Sequence, residues 1–239
     1  MAKIRLFIDH PLAGGQVAAL NPDQAHYLTG VMRLAAGAVI AVFNGRDGEW
    51  SARLATTAKR AATLEILDRT APQRNPPDLW LIFAPIKKAR TDFIVEKAAE
   101  LGAARILPVQ TDFTNAERIR QDRLQAHAVE AAEQCGGTFV PEVAALQPLA
   151  RLLDGWDGTR RILWADEAAA GPAESLSDLP PGPWAVLIGP EGGFSPAERD
   201  RLRALPFVRR ISLGPRILRA DTAAVAALTL WQAAAGDWK

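Results

Sequence analysis

The chain has 239 residues, of which 49% are hydrophobic, and a formal net charge of +1. These apolar side chains suffice for a buried core, and the near-neutral charge excludes a protein that holds nucleic acid by overall charge alone. No apolar run has membrane-spanning length and the first residues lack a signal-peptide core, so we expect a cytoplasmic protein without a membrane partner. One cysteine and three histidines form no metal-ligand pattern, and we expect no metal.

Short alternating segments dominate the first third of the chain. A glycine-rich turn, NGRDGEW at 44–50, separates two of them and predicts a hairpin. A helix is predicted over 23–34, with Asp23 near its cap. The proline-rich segment TAPQRNPPD predicts a domain break, so we place a small β domain at 1–72 and a linker at 73–78. The predicted strands are 4–8, 38–45, 49–56 and 61–68.

Strands and helices alternate over 79–239, which predicts an α/β domain with a mostly parallel sheet. Thr91 is the expected cap of the first helix of this domain, and Gly102 is placed to end it. The predicted strands are 79–86, 104–110, 160–166, 184–190 and 208–214. The predicted helices are 91–102, 117–135, one beginning after Ser195, and 221–235.

The segment LIGPEGGFSPAE, residues 187–198, joins an apolar strand to a helix through a glycine-rich turn. A strand that is apolar on both faces is typical of the centre of a parallel sheet, where ligands bind at the carboxyl edge. The glycines let the backbone turn sharply and present bare amides. Ser195, Pro196 and Glu198 form a capping-box pattern that predicts a helix start.

A second loop of the same kind, LGPRILRADTAA, covers residues 213–224. Two loops at one sheet edge can form opposite walls of a pocket. Neither loop matches the phosphate-cradling GxxxxGK[ST] pattern or the dinucleotide GxGxxG pattern. We therefore expect a ligand that is not held by its phosphates.

Taken together, these motifs resemble the RsmE family, the 16S rRNA uridine N3-methyltransferases of the SPOUT class. The resemblance also includes KKARTDFIVEKAAELG at 87–102, EAAEQC at 130–135 and an N-domain element, HYLTGVMR, that ends in Arg33. It covers essentially the whole chain. The chain departs from the family pattern at Asp221, where glutamate is usual, and at Gly137, where arginine is common.

The resemblance implies a PUA-like β-barrel that helps to grip RNA, followed by a SPOUT-type α/β domain with a deep trefoil knot. It also implies a homodimer that binds S-adenosylmethionine in the knot and acts on 16S rRNA in the small ribosomal subunit. The residues expected at the cofactor are Leu187, Ile188, Gly189, Pro190, Glu191, Gly192, Leu213, Gly214, Ile217, Leu218, Thr222 and Ala223.

Methyl transfer to uridine N3 requires loss of the N3 proton and stabilisation of the negative charge on O2 and O4. An arginine stays charged and offers a fork of donors for such a charge. We expect Arg219 to contact the uracil, which leaves Arg216 for a phosphate or a carboxylate; alternatively, both arginines pair with Glu191 or Asp221. Glu191 has three open roles, namely general base, arginine partner and ligand of the cofactor ribose.

The predicted RNA contacts are Lys87, Lys88 and Arg90, together with Arg33. The alternative for such a cluster is a solvated charged face. Two other functions stay open: a related knotted methyltransferase that modifies another RNA or another atom, and an RNA-binding module without catalysis. The glycine pocket favours an enzyme, because a protein that only binds RNA has no evident need for it.

Overall fold

The computed structural model describes residues 4–58, 61–116, 118–169, 171–172 and 176–238. The chain divides into two compact units. The first consists of the described residues up to Asn75 together with Ala132–Phe139, and the second of Pro76–Ala131 and the residues from Val140 onward. The segment Ala132–Phe139 was not predicted to belong to the first unit. The predicted domain limits at residues 72 and 79 stay predictions.

Arg5 explains why a segment so distant in the chain belongs to the first unit. Its guanidinium donates hydrogen bonds to the carbonyl oxygens of Ala132, Glu133 and Gly137 at 2.7 to 2.9 Å. The same group pairs with Glu49 at 2.9 Å, and the Arg5 side chain is only 10% exposed. Every part of the guanidinium therefore has a partner, as a nearly buried cation requires.

One sheet of five strands forms the framework of the first unit, in the order β1-β3-β4-β5-β2. The predicted hairpin is confirmed, because β3 and β4 pair antiparallel around the glycine-rich turn. Strand β2, which has three residues, was not predicted. The strands are β1 (Arg5–Phe7), β2 (Val17–Ala19), β3 (Val39–Phe43), β4 (Glu49–Ala58) and β5 (Ala61–Ala71).

The helical segment of the first unit differs from the prediction of one helix over 23–34. Helix α1 covers Pro22–His26, and a wider π-helical turn follows at Tyr27–Val31. The cap is Asn21 rather than Asp23, because the Asn21 side chain accepts from the backbone N–H of Gln24 while the Gln24 side chain accepts from that of Asn21. This reciprocal pair is a capping box with asparagine in the serine position.

A sheet of seven strands forms the centre of the second unit, with the order β12-β10-β11-β6-β7-β8 and with β9 beside β7. Every pairing in it is parallel, which confirms the predicted parallel sheet. The strands are β6 (Leu79–Phe83), β7 (Arg105–Gln110), β8 (Glu142–Val143), β9 (Gln147–Pro148), β10 (Arg161–Ala165), β11 (Trp184–Ile188) and β12 (Val208–Ile211). The helices are α2 (Lys88–Glu100), α3 (Gln121–Cys135), α4 (Leu149–Asp154), α5 (Pro196–Ala204) and α6 (Ala220–Ala235).

Both faces of this sheet are covered, as the strand sequences require. Leu81 and Phe83 of β6 lie in a cluster with apolar residues of α2, α3 and α6, whereas Ile82 lies in a second cluster with residues of α4 and α5. Successive residues of a strand point to opposite faces, so a strand that is apolar throughout contributes to two cores.

Several helix limits in the second unit differ from the predictions. Helix α2 begins at Lys88, three residues before the predicted cap Thr91, whose hydroxyl instead exchanges hydrogen bonds with the backbone of Ile86. Helix α3 begins at Gln121; residue 117, the predicted start, lies outside the described residues. The capping box of Ser195 and Glu198 is confirmed. Within the described residues, each helix is too short or too polar to span a lipid bilayer.

Candidate active site

Three neighbouring strands end at the same edge of the sheet and enclose a cavity. Because β12, β10 and β11 are adjacent and parallel, the segments that follow them converge at their carboxyl ends. The cavity has a volume of about 260 Å³ and is lined by residues of all three segments and of the first turn of α6. We call it the strand-end cavity.

The strand-end cavity brings together most of the residues predicted for the cofactor. The three predicted catalytic residues, Arg219, Arg216 and Glu191, also line it. The cofactor candidates in its lining are Ile188, Gly189, Pro190, Glu191, Leu213, Gly214, Ile217, Leu218 and Ala223.

Three cofactor candidates lie outside this lining. Leu187 is fully buried in the sheet. Gly192 lies against Phe113, because a Cβ atom on Gly192 would be 3.2 Å from the Phe113 Cβ. Thr222 is exposed on the first turn of α6. Burial in the strand separates Leu187 from the cavity, packing against Phe113 separates Gly192, and exposure on the helix surface separates Thr222.

Two acidic residues of the cavity, Asp166 and Glu167, were not predicted. A signal for them was present, since they directly follow the apolar strand β10, which ends at the same edge as β11. Other lining residues not predicted are Ala165, Ser212 and Ala220.

An acid and arginine network joins two walls of the cavity. The Asp166 side chain is fully buried and forms ion pairs with Arg199 and, at 2.7 Å, with Arg210. Arg199 also pairs with Glu167 and donates a hydrogen bond from Nε to the carbonyl oxygen of Phe194 at 3.0 Å. Since Arg199 lies on α5, it connects the glycine loop to the segment after β10. A buried carboxylate requires such partners, because desolvation of an unpaired charge costs several kcal/mol.

Close packing explains two glycines of the loop after β11. A Cβ atom on Gly189 would lie 2.6 Å from the Phe194 ring, and one on Gly193 would lie 1.9 Å from Glu167 Oε1. Gly193 also has a φ of +69°, which side-chain-bearing residues rarely adopt. Glycine at these two positions therefore lets the loop backbone pack against Phe194 and Glu167. It also leaves the backbone accessible to a ligand.

The two arginines of the cavity form no ion pair with any residue that the structure describes. Arg216, Arg219 and Glu191 are all exposed. Asp221, one of the acids considered as their partner, pairs instead with Arg90 at 2.6 Å. The described residues thus leave both guanidinium groups available for a ligand in the cavity.

Apolar side chains and free backbone groups make this cavity suitable for an adenosine-like ligand. Leu213 and Leu218 contribute apolar surface. The backbone N–H groups of Leu213 and Leu218 donate no hydrogen bond to another described residue. A flat apolar ring with a hydrogen-bonding edge needs both kinds of contact. The cavity therefore fits the adenosine part of S-adenosylmethionine.

The predicted RNA contacts lie in three different environments. Lys87 and Lys88 are exposed at the start of α2, and Lys88 lines a second cavity. Arg90 is held by Asp221 on α6. Arg33 is exposed in the first unit and has a φ of +53°, which is rare for a residue with a side chain.

Comparison with known proteins links both halves of the chain to RNA methyltransferases. A family model described as the RNA methyltransferase domain matches residues 73–232. A second one, described as the RNA methyltransferase PUA domain, matches residues 20–67. The first match alone covers more than half of the chain.

Individual relatives agree with the family models. The ribosomal RNA small subunit methyltransferase E of Rickettsia conorii is 28% identical over 94% of this chain and 93% of its own. The protein of the same name from Synechocystis is 31% identical over 87% of this chain and 70% of its own. A crystal structure of the Neisseria gonorrhoeae methyltransferase E, bound to S-adenosyl methionine, superposes with a TM-score of 0.89 at 29% identity, covering 99% of this chain and 100% of that one.

Proposed function

Since this chain belongs to the RsmE family of S-adenosylmethionine-dependent rRNA methyltransferases, we propose that it methylates N3 of a uridine in 16S rRNA of the small ribosomal subunit. The strand-end cavity is the observation that carries this proposal. In it, the two loops of the family signature meet, and two exposed arginines without a described ion partner face the same space.

The walls of the strand-end cavity hold the cofactor in this proposal. Leu213, Leu218 and Ala223 contact the adenosine part, and the free backbone N–H groups bind its hydrogen-bonding edge. S-adenosylmethionine supplies a methyl group that its sulfonium makes electrophilic. Alignment of donor and acceptor therefore supplies much of the rate. The proposal assigns no role to a metal, because the sulfonium already activates the methyl group.

Arg219 and Arg216 act on the RNA. Arg219 precedes the first residue of α6, where its backbone caps the helix and its side chain makes no cap hydrogen bond. Its guanidinium donates to the uracil O2 or O4 as negative charge develops there, in the manner of an oxyanion hole. Arg216, two residues beyond Gly214, binds a phosphate of the same nucleotide or its neighbour.

Glu191 is the carboxylate of the glycine loop that lines the strand-end cavity. Pairing with Arg216 or Arg219, one of its three candidate roles, does not occur among the described residues. Two candidate roles of Glu191 remain, namely general base and hydrogen-bond partner of the cofactor ribose. In either role the carboxylate contacts a bound substrate or cofactor. A pH profile of methyl transfer for Glu191→Gln separates them, because loss of a base changes the acidic limb of the profile and loss of a ribose ligand changes cofactor affinity.

The same proposal includes a trefoil knot in the second unit, a homodimer as the working form and a cytoplasmic location. These three statements rest on the family. The PUA match supports a role for the first unit in holding RNA. Sedimentation of the purified protein tests the dimer, since a monomer over the working concentration range would contradict it.

Two measurements test the proposed activity. Titration calorimetry with S-adenosylmethionine and S-adenosylhomocysteine should show about one site per chain. Incubation with unmethylated small ribosomal subunits and tritiated cofactor should label 16S rRNA, and mass spectrometry of nucleosides should identify 3-methyluridine. Label in tRNA but not in small subunits would contradict the substrate, and cofactor binding without any transfer would contradict the activity.

A further inference from the structure

A second cavity in the same unit carries a concentration of positive charge. Its volume is about 440 Å³, and it lies between the start of α2, the start of α3 and the connection from β7 to α3, which is described over residues 111–116 and 118–120. Four cationic side chains and one acid, Asp92, are among the residues that line it. We call it the cationic cavity; its cations are Lys88, Arg118, Arg120 and Arg123.

Two of these cations have ion-pair partners, and the other two have none among the described residues. Arg123 pairs with Asp92, and Arg120 pairs with Asp122 at 2.5 Å. The Arg120 guanidinium thereby holds the pKa of the Asp122 carboxyl below its usual range. Lys88 and Arg118 are exposed and form no ion pair with any residue that the structure describes. The described lining therefore has two charges available for an anion.

The start of α2 adds to the positive potential of this cavity. The helix has 13 residues, its first turn contains no acid, and its cap residue Lys87 makes no side-chain cap hydrogen bond. Thr91, which could otherwise cap it, is engaged with Ile86. The first N–H groups of such a helix carry a partial positive charge and favour phosphate oxygens.

The connection from β7 to α3 contacts the glycine loop after β11 and also lines the cationic cavity. At one end Asp112 is fastened to α5, because its backbone N–H donates to Glu198 at 3.0 Å and its carboxylate accepts from the Ser195 hydroxyl. The neighbouring Phe113 lies against Gly192 and is 46% exposed. At the other end Arg118 and Arg120 line the cationic cavity. One short segment thus bears an exposed ring beside the glycine loop and, further along, Arg118, which forms no ion pair with a described residue.

We propose that the cationic cavity binds a phosphate group of the RNA substrate through Lys88 and Arg118, and that Phe113 stacks on a base next to the reacting uridine. This inference rests on the proposed function, which supplies an RNA as the substrate. An exposed aromatic ring together with unpaired cations is the combination that binds single-stranded RNA. With a net charge of only +1, the chain needs such a local basic surface to hold a polyanion.

The test compares Arg118→Ala with Arg151→Ala, which removes the same charge from an exposed position on α4 outside both cavities. Affinity for a short oligouridylate is measured over a range of salt concentrations. We expect Arg118→Ala to weaken binding several-fold and to lower the slope of log K against log salt by about 1. Arg118→Lys, which keeps the charge, should restore most of that slope, while titration with S-adenosylmethionine alone should give the wild-type affinity for every variant.

An Arg118→Ala protein with the RNA affinity and salt slope of Arg151→Ala would overturn the inference. Inorganic phosphate that binds in an Arg118-dependent way, while RNA affinity does not change, would also overturn it and point to a free phosphate instead. The proposed function fails by a different result, namely a wild-type protein that transfers no methyl group to small subunits. A wild type that methylates normally beside an Arg118→Ala protein that behaves like the control would contradict the cavity assignment alone.

Discussion

The two cavities of the α/β unit are built in different ways. The strand-end cavity is shaped by backbone loops, glycines and apolar side chains, and its buried acid Asp166 is held by ion pairs with Arg199 and Arg210. The cationic cavity is lined by four long cationic side chains, three of them exposed, on two helices and their connection. The first suits one small ligand of fixed shape, whereas the second suits a flexible polyanion that is recognised by charge.

This difference explains why one kind of site can be recognised as a motif in the sequence and the other cannot. A cavity made by backbone needs glycines, prolines and caps at fixed spacing, so its residues form a motif. A cavity made by charge needs cations at suitable places in space, and Lys88 and Arg118 reach one cavity from separate segments. Substitutions that affect only one of the two cavities test whether the strand-end cavity binds the small ligand and the cationic cavity binds the polyanion.

Arg219→Ala should have the largest effect. Loss of the group that holds the developing uracil charge should lower kcat for methyl transfer by about 10²- to 10³-fold. Cofactor affinity should change little, and single-turnover transfer onto small subunits measures the effect. Arg216→Ala is the matched control and should raise KM more than it lowers kcat. An unchanged rate for Arg219→Ala would remove the catalytic assignment.

Arg199→Met should destabilise the walls of the strand-end cavity. The variant leaves Glu167 without a described ion-pair partner and Asp166 with Arg210 as its one remaining described ion-pair partner, so we expect a loss of about 3 kcal/mol in the free energy of unfolding. Weaker binding of S-adenosylmethionine should accompany it. The control is Arg203→Met one turn later on α5, whose exposed pair with Asp200 contributes less than about 1 kcal/mol. Equal denaturation midpoints for the two variants would contradict the structural role of Arg199.

Phe113→Ala should weaken binding of oligouridylate by about 1 to 3 kcal/mol, the usual contribution of one stacked base. Its cofactor affinity should match the wild type, because Phe113 does not line the strand-end cavity. Trp238→Ala removes an exposed aromatic ring that lines neither cavity and serves as the control. If both variants bind RNA as the wild type does, Phe113 has no stacking role.

Ser195→Ala should have the smallest effect. Loss of the cap of α5 should cost about 1 kcal/mol of stability. Because the Ser195 hydroxyl also donates to Asp112, amide hydrogen exchange should increase in residues 112–116. Asn21→Ala removes the corresponding capping box of the first unit and should leave exchange in those residues unchanged. Similar exchange in both variants would show that the cap does not fasten the connection from β7 to α3.

Much of the fold could be predicted from local patterns. Alternation located the hairpin of β3 and β4, and apolar runs located the central parallel strands. The capping box at Ser195 located the start of α5. The short elements β2, β8, β9 and α4 were missed, because two to six residues are too few to show a period. The cap of α1 was misplaced because Asn21 and Asp23 both have capping side chains, and only the tertiary structure distinguishes them.

By itself, the sequence determined the type of most elements, the glycine loops and capping signals of the strand-end cavity, and the family. These features depend on residues within a few positions of one another. Tertiary structure decided which distant residues meet: Arg90 with Asp221, 131 positions apart, and Asp166 with Arg199 and Arg210. The order β12-β10-β11 brings the last three together, and strand order depends on packing of the whole sheet. Local propensity contains no information about it.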